Sequence, residues 1–308
     1  MKPVLLPLAA VVGLLGCSSP AEDTPGNPGG EPVAAALELP VGHPDRTATE
    51  LEIARREFEK NPTDELAAIW FGRRLAYVGR IEEAIEVYTQ AFRQHPRSAR
   101  LLRHRGHRFL SQRQFELAED DLRHAARLCE GRPDEVEPDG MPNARGRPRS
   151  TTQGNIWYHL ALAHFLQGEF ESAAQAWRSA LDLCTNDDTL VAVSHWYFMT
   201  LRRLGQEMTA TALLGAITED MEILENGSYH QVLLLKKDQR HIGEVLGGET
   251  QLQRETLGYG VAHWLLMNGE TERSREMLKS LTTGPSSNAF GRIAAEVELA
   301  RLPPAASR

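Results

Sequence analysis

Histidines, carboxylates and cysteines are the side chains of this sequence that could carry chemistry. His104 and His107 are three positions apart, so on one helix both could reach a shared metal ion, with His124 of the next helix as a third ligand. The run Arg-His-Arg-Gly-His-Arg around the pair is more typical of a solvated helix face. The sequence contains no Gly-x-Ser-x-Gly, no glycine-rich phosphate loop and no His-Glu-x-x-His. We therefore predict no catalytic residue, no metal ion and no cofactor.

A second candidate is the segment 133–153, which is acidic first and basic afterwards. Its carboxylates, at positions 134, 135, 137 and 139, lack the 12-residue spacing and the closing glutamate of an EF-hand calcium loop. Arginines follow at positions 145, 147 and 149. Loops that interrupt a regular scaffold often carry function, so we expect this segment to contact a partner. The alternative is a hydrolase, or a binding protein for cell-wall fragments or small ligands, with a deep pocket near this segment.

The elements that must position these residues are repeated helical hairpins. Small residues recur at three fixed places with a spacing of 34 residues, as Gly72 and Gly106, Ala84 and Ala118, and Ala91 and Ala125. This period, with small residues where two helices approach closely, resembles the tetratricopeptide repeat (TPR). The resemblance implies an all-α, right-handed superhelix of about five hairpins plus flanking helices.

We predict five hairpins within a solenoid that covers residues 47–302. The hairpins are residues 65–98, 99–132, 154–187, 191–224 and 255–288, with an insertion at 133–153. The fourth departs from the pattern, and residues 225–254 read as an irregular helical pair. Lone helices at 47–60 and 288–301 would cover the apolar ends, as solenoids require.

The concave face is the predicted binding surface. In the tetratricopeptide fold, fixed positions of each first helix face the groove, and here they carry mainly arginine, tyrosine and histidine. The predicted partner-binding residues are Arg73, Tyr77, Arg103, His107, Asn155, Tyr158, His195, Arg202, Tyr259 and His263. Arginine binds carboxylates through two parallel hydrogen bonds, and arginine and tyrosine are frequent hot-spot residues. We expect an extended or acidic segment of another protein in this groove.

The N-terminal residues have the pattern of a lipoprotein signal. Residues 4–16 are apolar and uncharged, and end in Leu14-Leu15-Gly16-Cys17. A helix needs roughly 20 residues to span a bilayer, so this run reads as a secretory signal over residues 1–16. Its last four residues resemble a bacterial lipobox, which implies lipidation of Cys17; the alternative is an ordinary signal peptide with an incidental cysteine. Residues 17–46 are poor in large apolar side chains and read as a flexible tether.

Charge and cysteine content exclude several classes of protein. The net charge of −8 argues against nucleic acid or anionic lipid as the main partner. Besides Cys17, only Cys129 and Cys184 remain, which is too few for a disulfide-dense scaffold or a four-thiolate zinc site. Both fall at the same position of their repeats, in different hairpins, so we expect two separate, buried thiols.

The whole plan resembles that of bacterial tetratricopeptide lipoproteins: lipobox, tether, hairpins, irregular stretch and closing helix. The resemblance implies an adaptor without enzymatic activity that gathers cell-wall hydrolases and proteases at the periplasmic face of the outer membrane. Ser18, rather than an aspartate, follows Cys17, and this favours the outer membrane over the inner one. A homodimer formed through the end hairpins is a further alternative.

Overall fold

The computed structural model describes residues 36–246, 251–283 and 288–304, with the side chains of 251–254 outside the description. The signal 1–16, the lipidation site Cys17 and most of the predicted tether therefore lie outside the described residues. The fold is all-α, as predicted. Its helices are α1 (Pro44–Lys60), α2 (Glu65–Tyr77), α3 (Ile81–Gln94), α4 (Ala99–Ser111), α5 (Phe115–Cys129), α6 (Thr152–Gln167), α7 (Phe170–Asp182), α8 (Asp187–Arg203), α9 (Glu207–Leu213), α10 (Gly227–Lys236), α11 (Ile242–Val245), α12 (Gln251–Met267), α13 (Thr271–Thr282) and α14 (Phe290–Arg301).

Helix capping explains where the first helices of four hairpins begin. Asp64, Ser98, Thr151 and Asn186 precede α2, α4, α6 and α8, and each side-chain oxygen accepts a hydrogen bond from a backbone N–H in the first turn. Two of these helices begin earlier than the repeat pattern suggested, at Thr152 instead of 154 and at Asp187 instead of 191. Helix α1 also begins early, at Pro44, so residues 44–46 are helical and do not belong to a tether.

The small residues of the repeat lie where two helices touch. A β-carbon on Gly72 would be 2.4 Å from the ring of Tyr88, and one on Gly106 would be 2.8 Å from Leu122. Ala173 occupies, in the third hairpin, the small position that Ala84 and Ala118 hold in the first two, and it is completely buried. The close approach of paired helices therefore requires these small side chains.

Consecutive helices pack against one another along the chain, with two departures from a regular repeat. The second helix of the fourth hairpin, α9, is short and continues as a 3-10 turn at Leu214–Ala216. Helix α10 then packs against both α8 and α12. One apolar core runs from Leu110 to Ala295, and a smaller one surrounds the first hairpin.

Two further features concern thiols and membranes. Among the described residues, Cys129 and Cys184 are free. Burial raises the pKa of both thiols, that of Cys184 to about 11, so neither is a ready nucleophile at neutral pH.

None of the helices within the described ranges combines the length and the hydropathy of a bilayer-spanning segment.

Candidate functional site

The insertion between the second and third hairpins folds into two short antiparallel arms, residues 133–151, which we call the strap. Val136 and Thr151 form an isolated antiparallel bridge. The Glu137 N–H donates to the Ser150 carbonyl at 3.0 Å, and the Thr152 N–H donates to the Glu135 carbonyl at 2.8 Å. The acidic residues lie on the first arm and the basic residues on the second, so the two arms carry opposite charge.

The acidic arm of the strap lies on the first helices of hairpins one and two. The Arg103 guanidinium of α4 pairs with the Glu137 carboxylate at 2.9 Å, and both side chains are more than nine-tenths buried. His104 lies alongside, with its Nε2 4.0 Å from the same carboxylate. Glu137 thus supplies the buried negative charge that a buried arginine requires.

The end of the same arm is fixed by α2. Arg73 donates to the Pro138 carbonyl at 2.7 Å, and Arg74 donates to the Gly140 carbonyl at 2.9 Å. A β-carbon on Gly140 would lie 1.9 Å from the Tyr77 hydroxyl, so a larger residue cannot occupy this position without a shift of the strap.

The basic arm of the strap contacts the fourth hairpin. Arg149 donates to the Asp188 carboxylate at 2.9 Å, and Arg147 donates to Glu222 at 2.8 Å. Asp188 is completely buried and also accepts backbone hydrogen bonds from residues 224–226, at 2.8 to 3.1 Å. The strap therefore joins hairpins one and two to hairpin four.

The closing helix α14 contacts the first helices of hairpins two to five. The Phe290 ring centroid is 5.2 Å from that of His107 and 5.7 Å from that of His159. At the other end, Arg301 donates to the Leu166 carbonyl at 2.6 Å, which satisfies a free carbonyl at the end of α6. The closing helix therefore packs on the last hairpin, as an end-covering helix would, and also contacts the earlier hairpins.

Two ion pairs fix α14 between these contacts. Arg113, in the turn after α4, donates two hydrogen bonds of 3.0 Å to Glu296. Arg203 of α8 pairs with Glu298, which is buried. Pairs this far apart in sequence hold the second and fourth hairpins to the C-terminal helix.

Helices α8, α10 and α12 enclose a group of buried histidines and tyrosines. The His195 ring lies 4.6 Å from that of Tyr229, and Tyr259 stacks on Trp196 at 5.6 Å. Burial lowers the pKa of His195 and of His263 well below the usual histidine range, so both are neutral at neutral pH. These rings serve as core residues in this conformation.

The concave surface predicted from the repeats is therefore not an open groove. The strap covers Arg73, Tyr77 and Arg103, while Asn155 donates to the strap through Ser150 at 3.0 Å. Helix α14 covers His107, and Tyr158 faces Tyr229 of α10 with 3.4 Å between the hydroxyls.

The four remaining residues of the predicted surface lie on α8 and α12, and His195 among them is completely buried. Tyr259 and His263 are each 1% exposed, and Arg202 is half-buried, donating to the Met267 carbonyl at 3.2 Å. The chain's own segments therefore cover much of the predicted binding surface. Their part in binding a partner stays a prediction.

The candidate metal ligands separate in space. His107 packs against His159 at 4.5 Å between ring centroids, whereas His124 packs on Phe92 at 6.0 Å. Within the described ranges, one group of three potential ligands converges instead, formed by Glu119, His164 and Glu169.

The converging group is already satisfied by hydrogen bonds. His164 shares a hydrogen bond of 2.7 Å with Glu169, and Gln167 donates to Glu119 at 2.5 Å. Arg123 also pairs with Glu119. We assign these side chains to the packing of hairpins two and three.

A cavity of about 270 Å³ lies under the basic arm of the strap. Tyr158, Tyr229 and Phe290 form much of its wall, and Glu225 is the one carboxylate among the described residues that line it. His159 and Cys184 also line the cavity, but burial lowers the pKa of the imidazole and raises that of the thiol, so both are neutral at neutral pH. The described part of the cavity wall therefore holds neither a pair of carboxylates nor a thiolate, and the hydrolase alternative is not favoured.

The main residues missed by sequence reasoning are those of the strap and α14 that occupy the concave face. The charge order of the strap, acidic and then basic, was the available signal, because it matches arginines on α2 and α4 and acidic residues near Glu222. No comparable pattern marked Phe290 or Glu298, since an amphipathic helix fits many apolar surfaces.

Comparison with known proteins identifies the repeat class. Residues 71–133 and residues 154–187 each match the family described as Tetratricopeptide repeat. The first segment contains most of hairpin one and all of hairpin two, and the second segment is hairpin three. Two segments of this all-α chain thus match the tetratricopeptide repeat, as the 34-residue period predicted.

Several solved structures are similar to the chain. YrrB, described as a TPR protein with an unusual peptide-binding site, is 17% identical with a TM-score of 0.44, over 80% of this chain and 99% of that one. Pseudomonas aeruginosa pilF is 17% identical with a TM-score of 0.46, over 86% and 98%. A tetratricopeptide repeat protein from Parabacteroides merdae is 14% identical with a TM-score of 0.47, over 87% and 99%. No curated protein matches the sequence.

Proposed function

We propose that this protein is a lipid-anchored adaptor of the cell envelope that binds other proteins through its helical repeats. The repeat match supports the proposal most directly, because tetratricopeptide repeats mediate protein–protein interaction. Arg73 and Tyr77, which are half-buried, and Arg100, which is exposed, lie on the first helices of hairpins one and two. Arginine and tyrosine are the side chains most suited to anchor a partner, and an acidic or extended segment is the ligand that they favour.

The anchor rests on the sequence Leu14-Leu15-Gly16-Cys17 and on the resemblance to bacterial lipoproteins. The proposed location is the periplasmic face of the outer membrane. We expect Cys17→Ala to move the protein from the membrane to the soluble fraction, while the control Cys184→Ala remains in the membrane. Unchanged partition of Cys17→Ala after ultracentrifugation contradicts the anchor.

The adaptor role is tested by in-cell crosslinking followed by mass spectrometry of the copurified proteins. We expect the same set of envelope proteins to be captured in repeated experiments. Charge reversal by Arg73→Glu should reduce the capture, whereas reversal of Arg178 on α7 should leave it unchanged. If neither the full chain nor the Arg178→Glu variant captures any protein reproducibly, the adaptor role is wrong.

A further inference from the structure

The acidic arm of the strap is held as an extended peptide ligand is held. Its backbone carbonyls at Pro138 and Gly140 accept hydrogen bonds from Arg73 and Arg74, and its Glu137 carboxylate accepts from Arg103. Main-chain contacts of this kind supply affinity irrespective of sequence, while the side-chain contacts supply specificity. The helical surface therefore already displays the features of a peptide-binding site.

Two positions of the bound segment are specified by this surface. The carboxylate at 137 enters a buried position beside Arg103, where a neutral residue would leave the guanidinium without a counter-charge. The position of Gly140 admits no side chain, since a β-carbon would lie 1.9 Å from the Tyr77 hydroxyl. A ligand for this surface needs a glutamate three residues before a glycine.

The strap and the helical surface leave two buried polar atoms without hydrogen-bond partners. The Nε of Arg103 and the Oδ2 of Asp139 are buried, and neither finds a hydrogen-bond partner among the described residues. Buried polar atoms without partners destabilise the bound arrangement. A segment that supplies an acceptor to Arg103 and a different residue at the place of Asp139 would be a better ligand than the strap itself.

Release of the strap breaks its own contacts with the helices, including the buried pairs Arg103–Glu137 and Arg149–Asp188. Its arms are joined by one antiparallel bridge, which two backbone hydrogen bonds flank, and most of residues 141–148 between the arms are exposed. A ligand that displaces the strap must therefore replace the Arg103–Glu137 pair, and local opening requires less free energy than unfolding of the whole chain.

We propose that Arg73, Arg74, Tyr77 and Arg103 form a recognition site for an extended acidic segment of a partner protein, with a glutamate three residues before a glycine, and that residues 137–140 occupy this site in the free protein. The proposal rests on the adaptor function proposed above and specifies its partner. Binding of the partner displaces the strap, so the strap competes with every ligand of the site.

The proposal is tested with a fluorescein-labelled peptide that copies residues 133–142, Pro-Asp-Glu-Val-Glu-Pro-Asp-Gly-Met-Pro. Two versions of the full chain weaken the internal competitor: Glu137→Gln, which removes the buried carboxylate, and Gly140→Val. Fluorescence anisotropy should show at least tenfold tighter binding to these variants than to the unaltered chain. Hydrogen exchange at residues 136–151 reports whether the strap has been released.

Matched controls separate this site from general charge effects. Glu116→Gln with Glu171→Gln removes two exposed carboxylates elsewhere, and should bind the peptide as the unaltered chain does. A peptide with glutamine at the position of Glu137 should bind at least tenfold more weakly to the released variants. Adding Arg103→Gln to Gly140→Val should abolish binding of the acidic peptide.

Two results overturn the proposal: a released strap without preferential binding of the acidic peptide, or a strap that exchanges no faster in either variant. The second result would make the strap a fixed part of the fold. Peptide binding without crosslinked partners would contradict the adaptor role and retain the site. Crosslinked partners without peptide binding would support the adaptor role and contradict the proposed recognition site.

Discussion

Arg103 of α4 and Glu137 of the strap form an ion pair with 2.9 Å between nitrogen and oxygen, and less than a tenth of either side chain is exposed. Burial lowers the pKa of the Arg103 guanidinium, and the adjacent Glu137 carboxylate opposes that shift. The pair is therefore interdependent, because each partner without the other would be an uncompensated buried charge.

This interdependence predicts the effect of breaking the pair. Arg103→Met should lower the free energy of unfolding by about 3 kcal/mol, because it leaves the Glu137 carboxylate buried and unpaired. The double variant Arg103→Met with Glu137→Leu should recover most of that loss. Urea denaturation of the two single variants and the double variant measures the coupling. Equal losses for Arg103→Met and the double variant would show that the ion pair is not buried in solution.

A second prediction concerns the close contact between α14 and α12. A β-carbon on Gly291 would lie 2.4 Å from the Glu255 carbonyl oxygen, and a backbone atom cannot move aside as a flexible side chain can. Gly291→Ala should therefore cost about 1–3 kcal/mol. It should also accelerate hydrogen exchange in residues 290–301.

The matched control for α14 is Gly227→Ala, because a β-carbon there meets nothing within 4 Å. Its exchange at residues 290–301 should equal that of the unaltered chain. If hydrogen exchange at residues 290–301 is also unchanged in Gly291→Ala, α14 does not pack against α12 as described.

The fold was predictable from the sequence where local packing imposes a residue type. Gly72 and Gly106 must be small because Tyr88 and Leu122 fill the space beside them, and this requirement repeats every 34 residues. Caps such as Ser98 likewise mark helix starts through a contact within one turn. Local rules of this kind can be recognised in one sequence.

The occupation of the concave face was not predictable, because it depends on contacts between distant residues. Arg113 and Glu296 are separated by 183 positions, and neither residue type nor spacing links them. The repeat pattern places Arg103 and His107 on one predicted face, but it does not indicate which segments of the chain cover that face. The strap and α14 do so through ion pairs and through the ring contacts of Phe290 with His107 and His159.

Five histidines, four of them buried and His107 partly buried, predict that acid destabilises the fold. Burial lowers the pKa of His104, His107, His159, His195 and His263 well below the usual range. Unfolded histidines titrate near pH 6.5, so below that pH the unfolded chain binds more protons than the folded chain. Stability is therefore complete above about pH 6.5 and falls as the pH drops.

Between pH 7.5 and pH 5.5 each of these histidines should remove about 1 kcal/mol from the free energy of unfolding. Urea denaturation at several pH values measures the slope. His195→Phe should make the slope shallower, whereas His241→Gln, at an exposed position, should not change it. Stability that is constant from pH 7.5 to 5.5 would mean that these rings are hydrated or paired in solution.

Lys236 of α10 predicts a stabilising substitution. Its side chain is 5% exposed, its Nζ has no hydrogen-bond partner among the described residues, and burial lowers its pKa to about 7. Its Nζ lies 4.8 Å from the centre of the Phe198 ring, which offsets only part of the loss of hydration. Lys236→Met keeps a similar shape without the amine, and should raise the free energy of unfolding at pH 7 by about 1–3 kcal/mol.

The pH dependence of this gain in the free energy of unfolding shows whether the buried amine of Lys236 causes it. An unfolded lysine holds its proton up to about pH 10.4, so between pH 7 and pH 10 the unfolded chain binds the additional proton. Stability of the unaltered chain should therefore rise with pH in this range, and the advantage of Lys236→Met should be smaller at pH 9 than at pH 7. The exposed control Lys279→Met should have no effect at either pH. A loss of stability in Lys236→Met would instead show that the Lys236 amine has a polar partner, such as a buried water, because the substitution would then remove a satisfied hydrogen bond.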